Sequence, residues 1–474
     1  MSIAYAESGR TDYDLDDDGL IEINSLADLN EIRNNLDGTS LYGESTGCPA
    51  EGCNGFELTT TLDFDTNADG VMDANDTYWN DGEGWVPIGD AYSPFTAIFD
   101  GNGHQIRNLH IDRPSTDYVG LFGYVKGEAA SLRNLGLTGK RMSVLGRGAV
   151  GGLIGRAEEA SITQNYSTGV VTGDDNVGGL VGGLYRGSLN NSFATGSVTG
   201  NGDVGGLAGD SSNSTLNNSF ATGSVTGDED VGGLIGQISS SSLSNSFATG
   251  SVTGDEDVGG LIGQLSSSSL SNSFATGYVN GNSRIGGLLG SASISTFTNN
   301  HWATDTSGQA SSARSSNESN YFGATLAELQ CPTSSDDSEC LIGNTLYTSW
   351  DDTVWSFGSN QELPGLIIDG VVYRDSDGDG SLDSDDAFPN NRAGSVDNDN
   401  DGYLDSWTLG CDGHCRSTSG LTLDQFPMTG AAWLDADLDG YPDSWAAGCD
   451  ASCQNDSGLT LDASTNDVDN DGII

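Results

Sequence analysis

The apolar positions between Ser188 and Thr296 recur at one spacing. Leu189, Leu216, Leu243 and Leu270 lie 27 residues apart, and Phe193, Phe220, Phe247 and Phe274 keep the same interval. Val198, Val225, Val252, Val279 and Leu207, Leu234, Leu261, Leu288 follow suit, and Ile162 with Tyr166 places a further copy in front. A fixed period of this size denotes stacked repeats, each burying its apolar face only against its neighbours. Within a copy, S-F-A-T-G-S-V and V-G-G-L-I-G read as two strands separated by a glycine corner and followed by a polar loop. Matching columns of parallel strands stack at about 4.8 Å, so about seven turns give a rod on the order of 35 Å long. The leucine, phenylalanine and valine columns are expected to line the interior. Asn191, Asn218, Asn245 and Asn272 are expected to form an amide ladder. Glycine pairs such as Gly232-Gly233 fit corners that need a positive φ or a close backbone approach. The expected fold is all-β: a parallel β-solenoid (β-helix) with 27-residue turns, capped at both ends and followed by a loop-rich, acidic tail.

The pattern divides the chain into four parts. Residues 1–94 form an N-terminal cap region, in which Leu26, Leu29, Ile32 and Leu36 fall at helical spacing behind a Ser25 cap, with Gly38 as the stop. Such a helix would cover the first open edge of the stack. Residues 95–309 are the solenoid, irregular at first and ending where His301-Trp302 displaces the phenylalanine column. Residues 310–372, rich in tryptophan, read as a cap packed on the last turn. Residues 373–474 change to Asp, Gly and Asn and contain two units spaced by 38 residues.

Composition narrows the function. The net charge of −53 lacks the basic footprint that nucleic acid or an anionic lipid surface requires. No apolar window is long enough to span a membrane. Eight cysteines fall as close pairs, Cys48/Cys53, Cys331/Cys340, Cys411/Cys415 and Cys449/Cys453, which points to short disulfide loops and an oxidising, extracellular setting. Zinc would need a different spacing and more histidine. Ala4-Tyr5-Ala6 matches an A-x-A cleavage pattern without the apolar segment that normally precedes one.

The strongest chemical signal is D-x-D-x-D-G. In a 12-residue calcium loop, positions 1, 3 and 5 give side-chain oxygens, Gly at 6 turns the chain, and position 7 offers its carbonyl. Asp375, Asp377, Asp379, Ser381, Asp383 and Asp386 fill positions 1, 3, 5, 7, 9 and 12, as do Asp65, Asn67, Asp69, Val71, Asp73 and Asp76. Asp14, Asp16, Asp18, Leu20 and Glu22 fit through position 9. Two further loops, Asp397/Asp399/Asp401/Tyr403/Asp405 and Asp435/Asp437/Asp439/Tyr441/Asp443, lack an acid at position 12 and must borrow one, Asp424 or Asp462, or keep water. Asp467, Asp469 and Asp471 begin another loop. Calcium is the expected cofactor.

Other features carry less. Asp228-Glu229-Asp230 and Asp255-Glu256-Asp257, with Asp174-Asp175 and Asp203, read as a solvated loop edge. The columns Thr195/Thr222/Thr249/Thr276 and Thr199/Thr226/Thr253 raise ice binding, but ladders and β-propensity explain them more simply. Ser239–Ser242 and Ser266–Ser269 read as flexible loop edge. Four histidines, scarce basic residues in the regular copies and no H-E-x-x-H or G-x-S-x-G argue against an enzyme, a polysaccharide-active one included.

The V-G-G-L-I-G copies with the preceding N-S-F-A-T-G-x-V-T-G resemble the GLUG repeat of bacterial surface proteins, adhesins and the N-terminal region of immunoglobulin A-specific metallopeptidases. The tail, DSDGDGSLDSDDAFP best, resembles bacterial thrombospondin type 3 calcium repeats, with Phe388 where animal members carry cysteine. Together the resemblances imply a secreted or cell-surface adhesin or structural module, without the metallopeptidase zinc motif. A glycan or protein ligand on the exposed faces is expected. The alternative is a filament subunit: similar acidic loops at the two ends suit calcium-dependent, head-to-tail self-association.

Overall fold

The computed structural model describes residues 10–312, 321–330, 346–347, 349–358 and 361–462. The Cys331/Cys340 pair, Met1–Ala6 and Asp467, Asp469 and Asp471 lie outside them, as does the C-terminal end of the proposed filament contact.

Each repeat is one turn of a parallel β-solenoid, and it holds five short strands where the apolar pattern suggested two. One turn comprises Ser188–Asn190, Phe193–Ala194, Val198–Thr199, Val204–Gly205 and Ala208–Ser212. Leu189 pairs with Leu216, Phe193 with Phe220 and Val198 with Val225, one period on. Among the described residues the stacks form parallel sheets of ten, seven, six, seven and ten strands. The extra corners come from residues that glycine does not mark: Asn191 and its equivalents at φ near +50°, Asp230 and Asp257 at +48° and +52°, Ser240 and Ser267 at +50° and +51°. Asn tolerates this left-handed region, and a hydrogen-bonded neighbour holds the others there. Gly232 and Gly233 need no positive φ; a Cβ on Gly233 would overlap the Gly260 carbonyl, so close approach is their role.

The leucine and valine columns fill the interior, but the phenylalanine column does not. Ala194, Ala221, Ala248 and Ala275 face inward with Leu189 and Val198, and the adjacent phenylalanines point outward into a second cluster. Neighbours on a strand face opposite sides, so two consecutive apolar residues leave the choice to packing volume, and alanine fits the narrow interior. The phenylalanine rings stack in a column at 4.6 to 5.2 Å. Serine ladders stitch the corners: the Ser192 N–H donates to Ser219 Oγ (3.3 Å), Ser219 to Ser246 (3.3 Å) and Ser246 to Ser273 (3.1 Å). The serine runs are ordered too. Ser241 and Ser268 are buried, and the Ser241 N–H donates to Ser268 Oγ at 3.0 Å. The asparagine ladder forms in part, with Asn218 Nδ2 donating to Asn191 Oδ1 at 3.2 Å.

The stack reaches back past Phe95. Leu20–Ile23 pairs with Gly55–Leu58, which pairs with Ile98–Asp100, in the same ten-stranded sheet. Long insertions between these strands hide them from a 27-residue period. The helix Leu26–Glu31, capped by Ser25 and continued as a 3-10 turn over Ile32–Asn34, buries Leu29 and Ile32 at this end. Cys48–Cys53, Cys411–Cys415 and Cys449–Cys453 are disulfides.

The C-terminal cap lies along the flank of the solenoid. Trp302 closes the interior at Gly287, and His301, in register with Phe274, continues the outer column; burial pushes its imidazole down to about 4. The described residues between 346 and 373 then run back along that column. Trp350 and Trp355 lie 6.2 and 5.9 Å from Phe274, and Tyr373, on the antiparallel hairpin Gly365–Ile368 and Val371–Tyr373, lies 4.8 Å from Phe193 and 5.6 Å from Phe220. An outward apolar column in water would be costly, and the tryptophan-rich segment covers it.

Candidate metal centres

Five of the expected acidic loops share one scaffold. The position 6 glycine N–H donates to the position 1 carboxylate: Gly19 to Asp14 at 2.9 Å, Gly70 to Asp65 at 2.8 Å, Gly380 to Asp375 at 2.9 Å, Gly402 to Asp397 at 2.9 Å and Gly440 to Asp435 at 2.8 Å. The position 7 N–H of Leu20, Val71, Ser381, Tyr403 and Tyr441 donates to the position 5 carboxylate at 2.8 to 3.0 Å. All five glycines have positive φ, from +79° for Gly70 to +103° for Gly380, which explains why glycine stands there.

Position 9 closes the ring in four loops. The position 2 N–H donates to it: Ser376 to Asp383 at 2.6 Å, Asn398 to Asp405 at 3.1 Å, Ala436 to Asp443 at 3.2 Å, and Leu15 to Glu22. The Asp65 loop differs. There the Thr66 N–H donates to Asp76, at 2.7 Å, while Asp73 takes the N–H of Asn75. Asp76 thus joins that loop, and Asp73 caps a local turn. Asn67 donates to Asp69 at 2.9 Å.

The acid brought to the Asp397 loop from further along the chain is Asp424. Its N–H donates to the Leu404 carbonyl at 2.8 Å and its Oδ1 accepts from Phe426 at 2.7 Å, as Asp386 Oδ1 accepts from Phe388 at 2.7 Å. Asp424-Gln425-Phe426-Pro427 therefore occupies the place of Asp386-Ala387-Phe388-Pro389, with the disulfide helix Gly413–Ser419 inserted before it. The repeated D-x-F-P is the sequence signal that distinguishes Asp424. Asp462 takes the equivalent place in the next unit, its N–H donating to Pro442 at 3.0 Å.

The carboxylates divide their oxygens. In the Asp397 loop, Asp399 Oδ2, Asp401 Oδ2, Asp405 Oδ1 and Asp424 Oδ2 are buried and carry no hydrogen bond, while the other oxygen of Asp401, Asp405 and Asp424 accepts a backbone N–H. Asp437 Oδ1 and Oδ2, Asp439 Oδ2 and Asp443 Oδ1 repeat the arrangement, as does Asp377 Oδ2 in the first tail loop. Candidate ligand oxygens of Asp14, Asp16 and Asp18, of Asp375, Asp377 and Asp379, and of Asp397, Asp399 and Asp401 lie within 4.8 Å of one another. Burial, with the neighbouring carboxylates, pushes Asp375 up to about 8, Asp377 to about 9, Asp386 to about 7 and Asp424 to about 6. Buried, unbonded carboxylate oxygens are expensive, and an all-oxygen set of five acids suits a hard divalent cation of calcium's size.

One acid escaped the sequence pattern. Glu57 stands in register between Glu22 and Asp100 on the ten-stranded sheet, and its carboxylate groups with Asp16 and Glu22. Arg10 pairs with Glu22 and Arg133 with Asp100, whereas burial and the surrounding acids push Glu57 up to about 7. It lies beyond any local motif, and the strand register brings it to the loop.

On the solenoid's own acidic edge Asp174, Asp175, Asp228, Glu229 and Asp255 are exposed, while Asp230, Asp257 and Glu256 are held by partners. Gln237 Nε2 donates to Asp230 at 3.0 Å, Gln264 Nε2 to the same Asp230 at 3.1 Å, and Arg284 pairs with Asp257 and Glu256. Arg186, likewise, pairs with Glu158 and Glu159. The threonines Thr222, Thr249 and Thr276 are buried, so that column offers no open hydroxyl array.

Residues 173–199 and 227–253 match the GLUG motif. Two turns of the solenoid carry it. The chain is 35% identical over 156 residues to halomucin of Haloquadratum walsbyi, a stretch covering 32% of this chain and 1% of that protein. It is 45% identical over 75 residues to a provisionally named Gly-rich membrane protein of Evansella cellulosilytica, covering 16% of this chain and 9% of the relative. The chain therefore spans a small part of either relative's length. A crystal structure from Bacteroides ovatus, provisionally named an immunoglobulin A1 protease, aligns over 72% of this chain and 90% of that one with a TM-score of 0.42 and 19% identity. No helix among the described residues is long and apolar enough to cross a membrane.

Proposed function

We propose that this chain is an extracellular, calcium-binding β-solenoid that serves as an adhesive or structural module at a cell surface, without catalytic activity. The observation that carries the calcium is the set of unbonded oxygens of Asp399, Asp401, Asp405 and Asp424, drawn together from two distant stretches. In the tail, Asp375, Asp377, Asp379, Asp383 and Asp386 would hold one ion, Asp397, Asp399, Asp401, Asp405 and Asp424 a second, and Asp435, Asp437, Asp439, Asp443 and Asp462 a third. Asp14, Asp16, Asp18, Glu22 and Glu57 would hold one at the other end, and Asp65, Asp69 and Asp76 another. A bound cation would supply charge neutralisation and loop rigidity. The GLUG motifs, the likeness to halomucin and the disulfides support the surface setting.

Calcium titration calorimetry and melting curves with and without chelator test the reading. Saturation at a hundredfold excess over Kd stabilises by about 2.7 kcal/mol per site. Absent heats together with an unchanged melting curve would refute it.

A further inference from the structure

We propose that the Asp375–Asp386 loop is a metal-operated fastener: a divalent cation held there fixes the C-terminal cover over the Phe193–Phe274 face, and its removal opens that face. The inference rests on the calcium reading and adds to it what one of the sites controls.

This loop is buried against the solenoid. Asp375 and Asp377 are each 2% exposed. A Cβ on Gly378 would stand 2.6 Å from Thr276 Oγ1, and one on Gly380 would stand 2.9 Å from the Thr222 carbonyl. The Thr249 hydroxyl lies beside the Asp375 carboxylate. The loop thus straddles three successive turns, which accounts for the burial of Thr222, Thr249 and Thr276.

The same loop follows the cover directly in the chain. Tyr373, two residues before Asp375, packs on Phe193 and Phe220. Arg374 pairs with Glu362 at 2.9 Å and donates to the Ser356 carbonyl at 2.9 Å. Gln330 Nε2 donates to the Ser376 carbonyl at 2.8 Å, tying the loop to the helix Leu326–Leu329. The loop is therefore the joint between cover, helix and solenoid.

Charge makes this joint conditional. Five carboxylates gather over a surface of threonine and glycine that supplies no positive charge, and Arg392 lies near Asp375, Asp377 and Asp379. Arg374, already paired with Glu362, is near Asp383, and two guanidiniums do not balance five acids of which Asp375 and Asp377 are held out of water. With a divalent ion the docked loop is neutralised. Without one, lifting the loop into water relieves the repulsion, and the apolar column beneath loses its cover. Asp377 Oδ2, buried and unbonded, is the atom that makes the ion-free docked state least favourable.

Hydrogen exchange of the full chain, read on peptides spanning 363–373, tests the fastener. In calcium the hairpin should be protected. Chelator should speed its exchange at least tenfold, while peptides covering Leu216 and Leu243 stay protected. Asp377→Ala should open the hairpin even in calcium; Asp399→Ala, in the second loop, should lose a calcium site by calorimetry and leave the hairpin closed. A wild-type chain that binds calcium, yields it to chelator and keeps residues 363–373 protected would overturn the fastener and leave the calcium reading standing. So would an Asp399→Ala chain that opens as Asp377→Ala does. A wild-type chain that shows no calcium heats at all would overturn the calcium reading itself.

Discussion

The Asp424 N–H donates to the Leu404 carbonyl at 2.8 Å, and that bond returns a carboxylate from beyond a disulfide-closed helix to the Asp397 loop. The helix is capped by Asp412 and stopped by Gly420 at φ +73°, so the excursion is rigid and ends at a fixed place. Asp424→Asn should weaken one calcium site at least tenfold, about 1.4 kcal/mol, in calorimetry. The other sites should be unaffected. An unchanged isotherm would mean that the loop closes with water.

Phe220 stacks between Phe193 and Phe247 at 4.6 and 4.7 Å and lies under Tyr373. Phe220→Ala removes a fully buried ring from the seam between solenoid and cover. A loss of about 3–5 kcal/mol is expected. Chemical denaturation followed by tryptophan fluorescence measures it. A loss below 1 kcal/mol would show that the ring is not packed there.

Burial, then Asp210, Asp230 and Asp175, pushes the Asp203 carboxyl up to about 8 from 3.8. The folded protein keeps a proton that the unfolded chain releases near pH 4. This raised pKa therefore favours the fold at low pH, and the advantage fades as pH climbs from about 4 to about 8. Asp203→Asn cannot ionise, so its Tm should gain on the wild type between pH 5 and pH 9 by on the order of 1 °C or more. Paired melts across that range decide; a constant difference counts against a protonated Asp203.

Gly233 lies against the Gly260 carbonyl and Ala248 of the next turn. Gly233→Ala should cost about 1–3 kcal/mol through overpacking. Gly413→Ala, with nothing within 4 Å of the new methyl, is the matched control and should be nearly neutral in the same denaturation series.

The 27-residue period, the inward leucine and valine columns and the D-x-D-x-D-G loops are written in short stretches of chain, because strand alternation and loop geometry are local. The left-handed corners at Asn191, Asp230 and Ser240 have no such local mark, since tertiary contacts hold Asp and Ser in a conformation that neither specifies by itself. The direction of Phe193 is another matter. It adjoins Ala194, so hydrophobicity alone cannot say which of the two faces inward, and the answer depends on interior volume and on a cover more than a hundred residues away. Glu57 and the docking of Asp375 on the threonine column beside the cover likewise depend on register and on which turns lie side by side. The sequence by itself determined the repeat, the rod and the acidic loops. Only the tertiary structure decided which side of a strand meets water and which distant acid completes each loop, because both follow from packing between segments that share no local pattern.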